Sequence, residues 1–166
     1  MTHRLLGFAK RMEVAKEPIA LDKLLEEVVS FQRTEIVHRN IKIEYHFPDV
    51  APPIESDRGK LQQVFLNIIG NALAAVEEGG LIEARLVHID AEHLAVVITD
   101  NGTGISEADL KNIFEPFYST KGEFGTGLGL SITRDIVTKL GGTIDVHSKL
   151  GRGTSFIVTL PIKTVG

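Results

Sequence analysis

Residues 94–105 read LAVVITDNGTGI, an apolar run followed by a polar segment with two glycines. A run of apolar and β-branched residues is typical of a strand, and the Asp, Asn and Gly that follow favour a turn at its end. Residues 81–89 form a similar apolar run, and the short polar segment between the two runs predicts a β-hairpin. The stretch therefore predicts a sheet strand that ends at the carboxylate of Asp100, followed by a turn through Gly102 and Gly104.

The rest of the chain predicts helices that cover one side of such a sheet. The helical periodicities lie at residues 21–39, 58–77 and 128–140, and further extended segments lie at residues 41–45, 54–56, 143–148 and 154–160. Asp57 is expected to cap the second helix. Strands joined mainly as hairpins, with helices available for one face, predict a two-layer α/β sandwich with a mixed, mostly antiparallel sheet.

Length and composition restrict the class of protein. The 166 residues suffice for one domain, and the contents of hydrophobic (43%) and charged (24%) residues are those of a globular protein. A net charge of −4 offers no general attraction to a phosphate backbone, so nucleic acid is not an expected partner. The absence of cysteine excludes disulfides and thiolate metal sites. No signal peptide and no membrane-spanning stretch is recognisable, so we expect a cytoplasmic domain.

Two short segments have both a structural and a functional interpretation. Asn67 and Asn71 lie four residues apart and share one face of the predicted helix. Structural hydrogen bonds or solvent would account for their amides, whereas amide oxygens are also hard ligands that suit Mg²⁺. Asp100 is either a turn residue or the acceptor for a ligand amine, because glycines beside it would let a ring approach the backbone.

Two later segments are equally ambiguous when taken singly. Residues 114–121 read FEPFYSTK, in which a Phe and Pro cluster is typical of packing while Lys121 would suit a phosphate. Residues 125–131 read GTGLGLS and lead into the last predicted helix, whose first amides could bind an anion. The spacing differs from the dinucleotide fingerprint, which disfavours a Rossmann fold, and the absence of a P-loop sequence excludes that class.

Taken together and in this order, the segments resemble the motifs of sensor histidine kinases of two-component systems. Residues 67–71 resemble the N box, residues 100–104 the first glycine box, residues 114–117 the F box and residues 125–129 the second glycine box. Residues 151–156 fit the last strand pair of the same family. The resemblance implies the Bergerat fold, which type II topoisomerase ATPase subunits, MutL-like repair proteins and ninety-kilodalton heat-shock chaperones share.

The resemblance also implies a Mg·ATP site with defined roles. Asn71 is the implied Mg²⁺ ligand, and Asn67 and Lys121 are the implied catalytic residues. Asp100 would accept the adenine amino group, with Thr154 supporting it through water. The further residues implied to contact ATP are Gly102, Gly104, Ile105, Phe117, Thr120, Lys121, Gly125, Gly127, Leu128, Gly129 and Leu130. Ala74 and Ala75 stand where relatives often carry a basic and an aromatic residue, so the resemblance does not predict the nucleotide affinity.

The partners follow from the same resemblance. Kinases of this family transfer the γ-phosphate of ATP to a histidine, usually followed by Glu or Asp, on a dimerising helical hairpin, for relay to a response regulator aspartate. None of the six histidines here precedes an acidic residue. We therefore expect residues 1–17 to be the end of the hairpin's second helix and residues 18–166 to be the catalytic and ATP-binding domain. The isolated chain is expected to be a monomer, and the full-length protein a homodimer compatible with a membrane anchor.

One alternative function is an ATP-hydrolysing Bergerat-fold module or a serine kinase of the anti-sigma type. Such proteins are expected to carry a carboxylate at position 67, whereas Asn67 is an amide that cannot take up a proton. A non-catalytic nucleotide-binding module is a third interpretation, and Ala74 and Ala75 are its only indication. The sequence therefore favours a histidine kinase catalytic domain.

Overall fold

A computed structural model describes residues 15–116 and 129–163. The strands in these ranges are β1 (Glu17–Ile19), β2 (Lys42–His46), β3 (Ile54–Ser56), β4 (Leu81–Asp90), β5 (His93–Asp100), β6 (Thr143–Lys149) and β7 (Gly153–Pro161). The helices are α1 (Leu21–Ser30), α2 (Arg33–His38), α3 (Arg58–Ala75), α4 (Glu107–Leu110) and α5 (Gly129–Lys139). None of these helices is both long and apolar enough to cross a bilayer.

Five strands form one sheet in the order β2-β4-β5-β7-β6. β2 runs parallel to β4, and every other neighbouring pair is antiparallel. Alternate residues of β4, such as Ile82 and Ala84, are buried, whereas Arg85 between the buried positions is exposed. The buried face packs against α1, α3 and α5. The predicted two-layer α/β sandwich, with a mixed and mostly antiparallel sheet, is confirmed.

The central helix α3 is buried on more than one side. It packs against α1, α5 and the sheet, which explains why its buried residues exceed a single stripe: Leu61, Val64, Phe65, Ile68, Ile69, Ala72 and Leu73. The carboxylate of Asp57 accepts a hydrogen bond from the backbone amide of Lys60 at 3.1 Å and thereby caps the helix, as predicted. Helix α3 is thus fixed at its start and along its length.

The helix predicted over residues 21–39 is wrong in one respect, because the chain forms two helices there. The hydroxyl of Ser30 donates to the carbonyl of Glu27, which offers the backbone an alternative to the helical bond. The backbone amides of Phe31 and Gln32 then donate to carbonyls three residues earlier instead of four. The apolar spacing of residues 21–39 predicts that Phe31 faces the core, but after this break its side chain is 57% exposed.

A second, two-stranded sheet joins the beginning of the described chain to the segment that precedes α3. β1 pairs with β3 in antiparallel register, and Ile19 and Ile54 lie opposite each other and are buried. The domain boundary predicted between residues 17 and 18 falls inside β1. Residues 1–14 of the segment expected to be the end of the hairpin's second helix lie outside the described residues.

Arg39 holds the carboxyl-terminal end of α3. Its guanidinium donates to the carbonyl of Leu73 at 2.8 Å and to that of Val76 at 2.5 Å. It also forms an ion pair with Glu35 at 2.8 Å. The last carbonyls of a helix lack partners within the helix, so a cation at this end satisfies them and meets the negative end of the dipole.

Removal of the Arg39 guanidinium is expected to destabilise the domain. Arg39→Ala should lower the free energy of unfolding by about 1–3 kcal/mol, because hydrogen bonds from a charged donor to two carbonyls are lost. Glu35→Ala removes only the exposed ion pair and should cost less than about 1 kcal/mol. Urea unfolding of both variants measures the difference. Equal losses would show that Arg39 acts through Glu35 alone.

Candidate functional site

A row of polar side chains crosses the sheet where β5 ends. Asp100 lies opposite Ile82 on β4 and Thr154 on β7, and Thr154 lies opposite Ser148 on β6. Asp100 and Thr154 are each only 5% exposed. Both share the parity of the buried apolar positions on their strands, so they lie on the face that the helices cover. The row forms the polar end of an otherwise apolar surface.

The glycine turn after Asp100 is packed on the end of α3. The carboxylate Oδ1 of Asp100 accepts a hydrogen bond from the backbone amide of Gly102 at 2.8 Å. A Cβ atom at Gly102 would lie 2.4 Å from the carbonyl oxygen of Ala75, so no larger residue fits there. The backbone amide of Thr103 also donates to the carbonyl of Ala75 at 3.2 Å. The turn therefore lies against the helix that carries Asn71.

The same turn is docked on the β6–β7 connection. Gly104 has a φ of +76°, and a Cβ atom there would lie 2.0 Å from the carbonyl oxygen of Lys149. The amide of Gly151 donates to the carbonyl of Thr103 at 2.8 Å. Glycine at position 104 is required both by the backbone conformation and by this close approach.

Ser148 joins three parts of the site. Its Oγ accepts a hydrogen bond from the amide of Ile105 at 2.7 Å and donates to the carbonyl of Gly153 at 2.9 Å. The hydroxyl of Thr154 lies 2.7 Å from the same oxygen. Nothing in the sequence pattern singled out Ser148. Its position opposite Thr154 depends on the register of β6 and β7, which the sequence alone leaves open.

Asn67 connects α3 to the first turn of α5. Its Nδ2 donates to the carbonyl of Gly129 at 3.2 Å and to the hydroxyl of Thr133 at 3.0 Å. Thr133 is fully buried, and its hydroxyl donates in turn to the carbonyl of Gly129 at 2.7 Å. The amide nitrogen of Asn67 thus has the structural role that was one of the two interpretations of the asparagine pair. Asn71 follows one turn later on α3 and is half-buried.

The described part of the F box packs against α5. The guanidinium carbon of Arg134 lies 5.4 Å from the ring centroid of Phe114, which is a cation–π contact. The short helix α4 before it was not predicted, although Ser106 caps it by accepting from the amide of Asp109 at 3.1 Å. A serine three residues before an acidic residue is the sequence signal that could have revealed this helix.

The structure brings together the predicted residues that it describes. One group lies on or against α3 and α5 and consists of Asn67, Asn71, Gly102, Gly129 and Leu130. A second group lies on or beside the polar row and consists of Asp100, Gly104, Ile105 and Thr154. The other predicted residues, Phe117, Thr120, Lys121, Gly125, Gly127 and Leu128, lie outside the described residues. The roles assigned to each residue stay predictions.

A separate group of ionisable side chains lies on the opposite face of the sheet. The carboxylates of Glu44 and Glu83 lie 3.5 Å and 3.6 Å from Nε2 of His46, close enough together to suit a metal ion. Glu44 also pairs with Lys42 at 3.1 Å, and the hydrogen bond and charge of Lys42, with a smaller contribution from His46, lower the pKa of Glu44. Lys42 and His46 therefore provide polar partners for both carboxylates.

Comparison with known proteins identifies the family. The family model for histidine kinase-, DNA gyrase B- and HSP90-like ATPases matches residues 56–164. The chain belongs to this ATPase family. Within it, the chain is similar to sporulation kinase E of Bacillus subtilis (34% identity over 95% of the chain) and to sporulation kinase C of the same bacterium (36% over 96%). The chain spans 21% and 37% of the lengths of these two relatives.

Solved histidine kinases have the same fold. The catalytic domain of histidine kinase ThkA superposes with a TM-score of 0.79 at 29% identity and covers 90% of this chain and 99% of that one. Full-length ShkA in complex with AMPPNP gives a TM-score of 0.83 at 29% identity over 93% of this chain and 32% of that one. ThkA in complex with the response regulator TrrA gives 0.78 at 27% identity, with coverages of 96% and 46%. The predicted resemblance to histidine kinase catalytic domains is confirmed.

Proposed function

We propose that this chain is the catalytic domain of a protein histidine kinase, which binds Mg·ATP and transfers its γ-phosphate to a histidine on a separate helical hairpin. The observation that carries the proposal is the buried carboxylate of Asp100, held at the end of β5 by a turn that packs on α3. Membership in the ATPase family and the AMPPNP bound to the similar kinase ShkA support ATP as the ligand.

Asp100 and Thr154 form the proposed adenine end of the site. A buried carboxylate accepts hydrogen bonds and cannot donate them when ionised, so it suits the amino group of adenine. The neighbouring hydroxyl of Thr154 can hold a water molecule that bridges to the ring. The close packing of Gly102 and Gly104 leaves backbone rather than side chains beside the base.

Asn71 and the start of α5 form the proposed phosphate end. The amide oxygen of Asn71 is a hard donor of the kind Mg²⁺ accepts, so the residue present fits the ion as one protein ligand alongside phosphate and water. When bound, Mg²⁺ supplies positive charge that neutralises the phosphate oxygens. Asn67 fixes the first turn of α5, which begins at Gly129 and presents backbone amides suited to an anion. Lys121 is proposed as a further phosphate contact.

The transfer itself needs little covalent chemistry from the domain. An imidazole nitrogen of the acceptor histidine attacks the γ-phosphorus in line, a nitrogen–phosphorus bond forms, and the bond to the β,γ-bridging oxygen breaks, which releases ADP. Positioning and charge neutralisation supply most of the catalysis. The acceptor brings its own nucleophile, so an amide at Asn67 is compatible with transfer although it cannot activate water.

The wider assembly is proposed from the relatives. The TrrA bound to ThkA is a response regulator, which supports a regulator aspartate as the final acceptor here. We propose a cytoplasmic location for this domain, with residues 18–166 as the catalytic unit and a dimerising hairpin as its immediate partner. The full-length kinase would be a homodimer through that hairpin.

The experiment that tests this function supplies the acceptor in trans. Incubation of the chain with labelled ATP, Mg²⁺ and the hairpin of a similar kinase should label the hairpin histidine with acid-labile phosphate. The chain alone should neither label itself nor hydrolyse ATP at a comparable rate, because none of its histidines precedes an acidic residue and Asn67 cannot act as a base.

A matched variant separates the kinase from the hydrolysing ATPase. Asn67→Glu introduces the carboxylate that a hydrolase needs and is expected to give at most slow hydrolysis, because water must still be positioned. Rapid ATP hydrolysis by the wild-type chain, without transfer to any hairpin, would favour the hydrolase instead. Acid-labile phosphate on the chain alone would show that it contains its own acceptor.

A further inference from the structure

We propose that Ser148 is a specificity-determining residue, which fixes the hydroxyl of Thr154 as a hydrogen-bond acceptor and so selects a 6-amino purine over a 6-oxo purine. The inference rests on the proposed function, because it assumes that the base lies against Asp100 and Thr154. Ser148 is not placed in contact with the nucleotide. It acts through Thr154, its cross-strand neighbour on β7.

The hydrogen atoms around Ser148 allow one arrangement that satisfies all three contacts. The amide of Ile105 is a donor only, so Oγ of Ser148 accepts that bond at 2.7 Å. The carbonyl of Gly153 is an acceptor only, so the single hydroxyl hydrogen of Ser148 points to it at 2.9 Å. Ser148 then has no hydrogen left for Thr154, and the 2.7 Å contact requires Thr154 to donate.

This arrangement determines what Thr154 can offer to a ligand. Its one hydroxyl hydrogen is used toward Ser148, so only lone pairs remain for a base or a bridging water. Asp100, in the next strand at the same level, is likewise only an acceptor when its carboxyl group is ionised. The two residues therefore present hydrogen-bond acceptors to the edge of the base. A purine with an amino group at position 6 can donate hydrogen bonds to these acceptors.

A 6-oxo purine presents the opposite group at the same place. Its carbonyl oxygen is an acceptor, so it meets lone pairs on a buried surface without a donor, and a site built for one hydrogen-bond pattern rejects the other. Without Ser148 the hydroxyl of Thr154 could rotate and donate to that carbonyl. Part of the discrimination would then be lost, although Asp100 is unchanged.

The test measures binding of ADP and IDP, which differ at position 6 of the purine, by calorimetry in the presence of Mg²⁺. We expect Ser148→Ala to reduce the ratio of ADP to IDP affinity about three- to tenfold relative to the wild type. Ser148→Thr keeps a hydroxyl at this position and should restore the ratio to near the wild-type value. A purely structural role for Ser148 would weaken both nucleotides equally and leave the ratio unchanged.

A double-mutant cycle with Thr154→Val locates the effect. Once the Thr154 hydroxyl is gone, Ser148→Ala should not change the ratio further. If melting curves show that Ser148→Ala does not fold, Ser148→Cys takes its place, because a thiol is a poor hydrogen-bond partner of similar shape.

The outcomes separate this inference from the proposed function. A wild-type chain that fails to bind ADP would overturn the proposed function and its adenine site. ADP binding with a Ser148→Ala ratio equal to that of the wild type would overturn only the role of Ser148. A change in ratio that persists in the Thr154→Val background would also overturn it, because the effect would not pass through Thr154.

Discussion

Asp100→Asn is expected to bind ADP about 10- to 100-fold more weakly than the wild-type chain while keeping its fold. The amide oxygen of the asparagine can still accept the hydrogen bond that the backbone of Gly102 donates to Oδ1 of Asp100. The second carboxylate oxygen is replaced by the amide NH2 of asparagine. This group is a donor, so it cannot accept the hydrogen bond that the amino group of adenine offers. The loss therefore reports on the base and not on the turn. Calorimetry with ADP measures it.

A second carboxylate on the same sheet provides the control. Asp145 lies on β6 and is exposed, so Asp145→Asn makes the same change in net charge away from the buried row. It should bind ADP as the wild type does. Equal affinities for the two variants would refute the assignment of Asp100 to adenine. Asp100→Ala should be less stable than Asp100→Asn, because it leaves the buried amide of Gly102 without its acceptor.

Much of the fold could be predicted because local patterns and tertiary packing agree. The apolar runs at residues 81–89 and 94–99 form the hairpin of β4 and β5, and Asp57 caps α3 where a carboxylate was expected. The break after Ser30 could not be predicted in the same way. There the helical periodicity continues while a hydroxyl–carbonyl bond between Ser30 and Glu27 competes with the helix.

The candidate site was predictable only where a motif is local. Asp100 and Gly102 are two residues apart, and the bond between them follows from the turn that their sequence favours. The bond from Asn67 to Thr133 spans 66 positions, and that from Ile105 to Ser148 spans 43. Such contacts depend on how α3 meets α5 and on strand register, which periodicity does not specify. Long-range hydrogen bonds therefore supply the supporting residues that the motifs omit.

Gly104→Ala is expected to be one of the most damaging single changes at the site. Its Cβ atom would lie 2.0 Å from the carbonyl oxygen of Lys149 and 2.7 Å from its carbon, so the two loops must separate. Separation would stretch the adjacent bond from the amide of Ile105 to Ser148. We expect a loss of about 2–4 kcal/mol in the free energy of unfolding beyond the strain of a positive φ, together with much weaker ADP binding.

Gly151→Ala isolates the clash from the backbone strain. Gly151 has a φ of +78°, against +76° for Gly104, but a Cβ atom there would have nothing within 4 Å. Both variants therefore incur the same penalty for an alanine in the left-handed region, about 1–2 kcal/mol. Only Gly104→Ala should lose the additional stability and the ADP affinity, as urea unfolding and calorimetry would measure. If the two variants unfold at the same urea concentration, the β6–β7 connection can move to accommodate a side chain at position 104. The contact between the two loops would then not be what fixes the polar row.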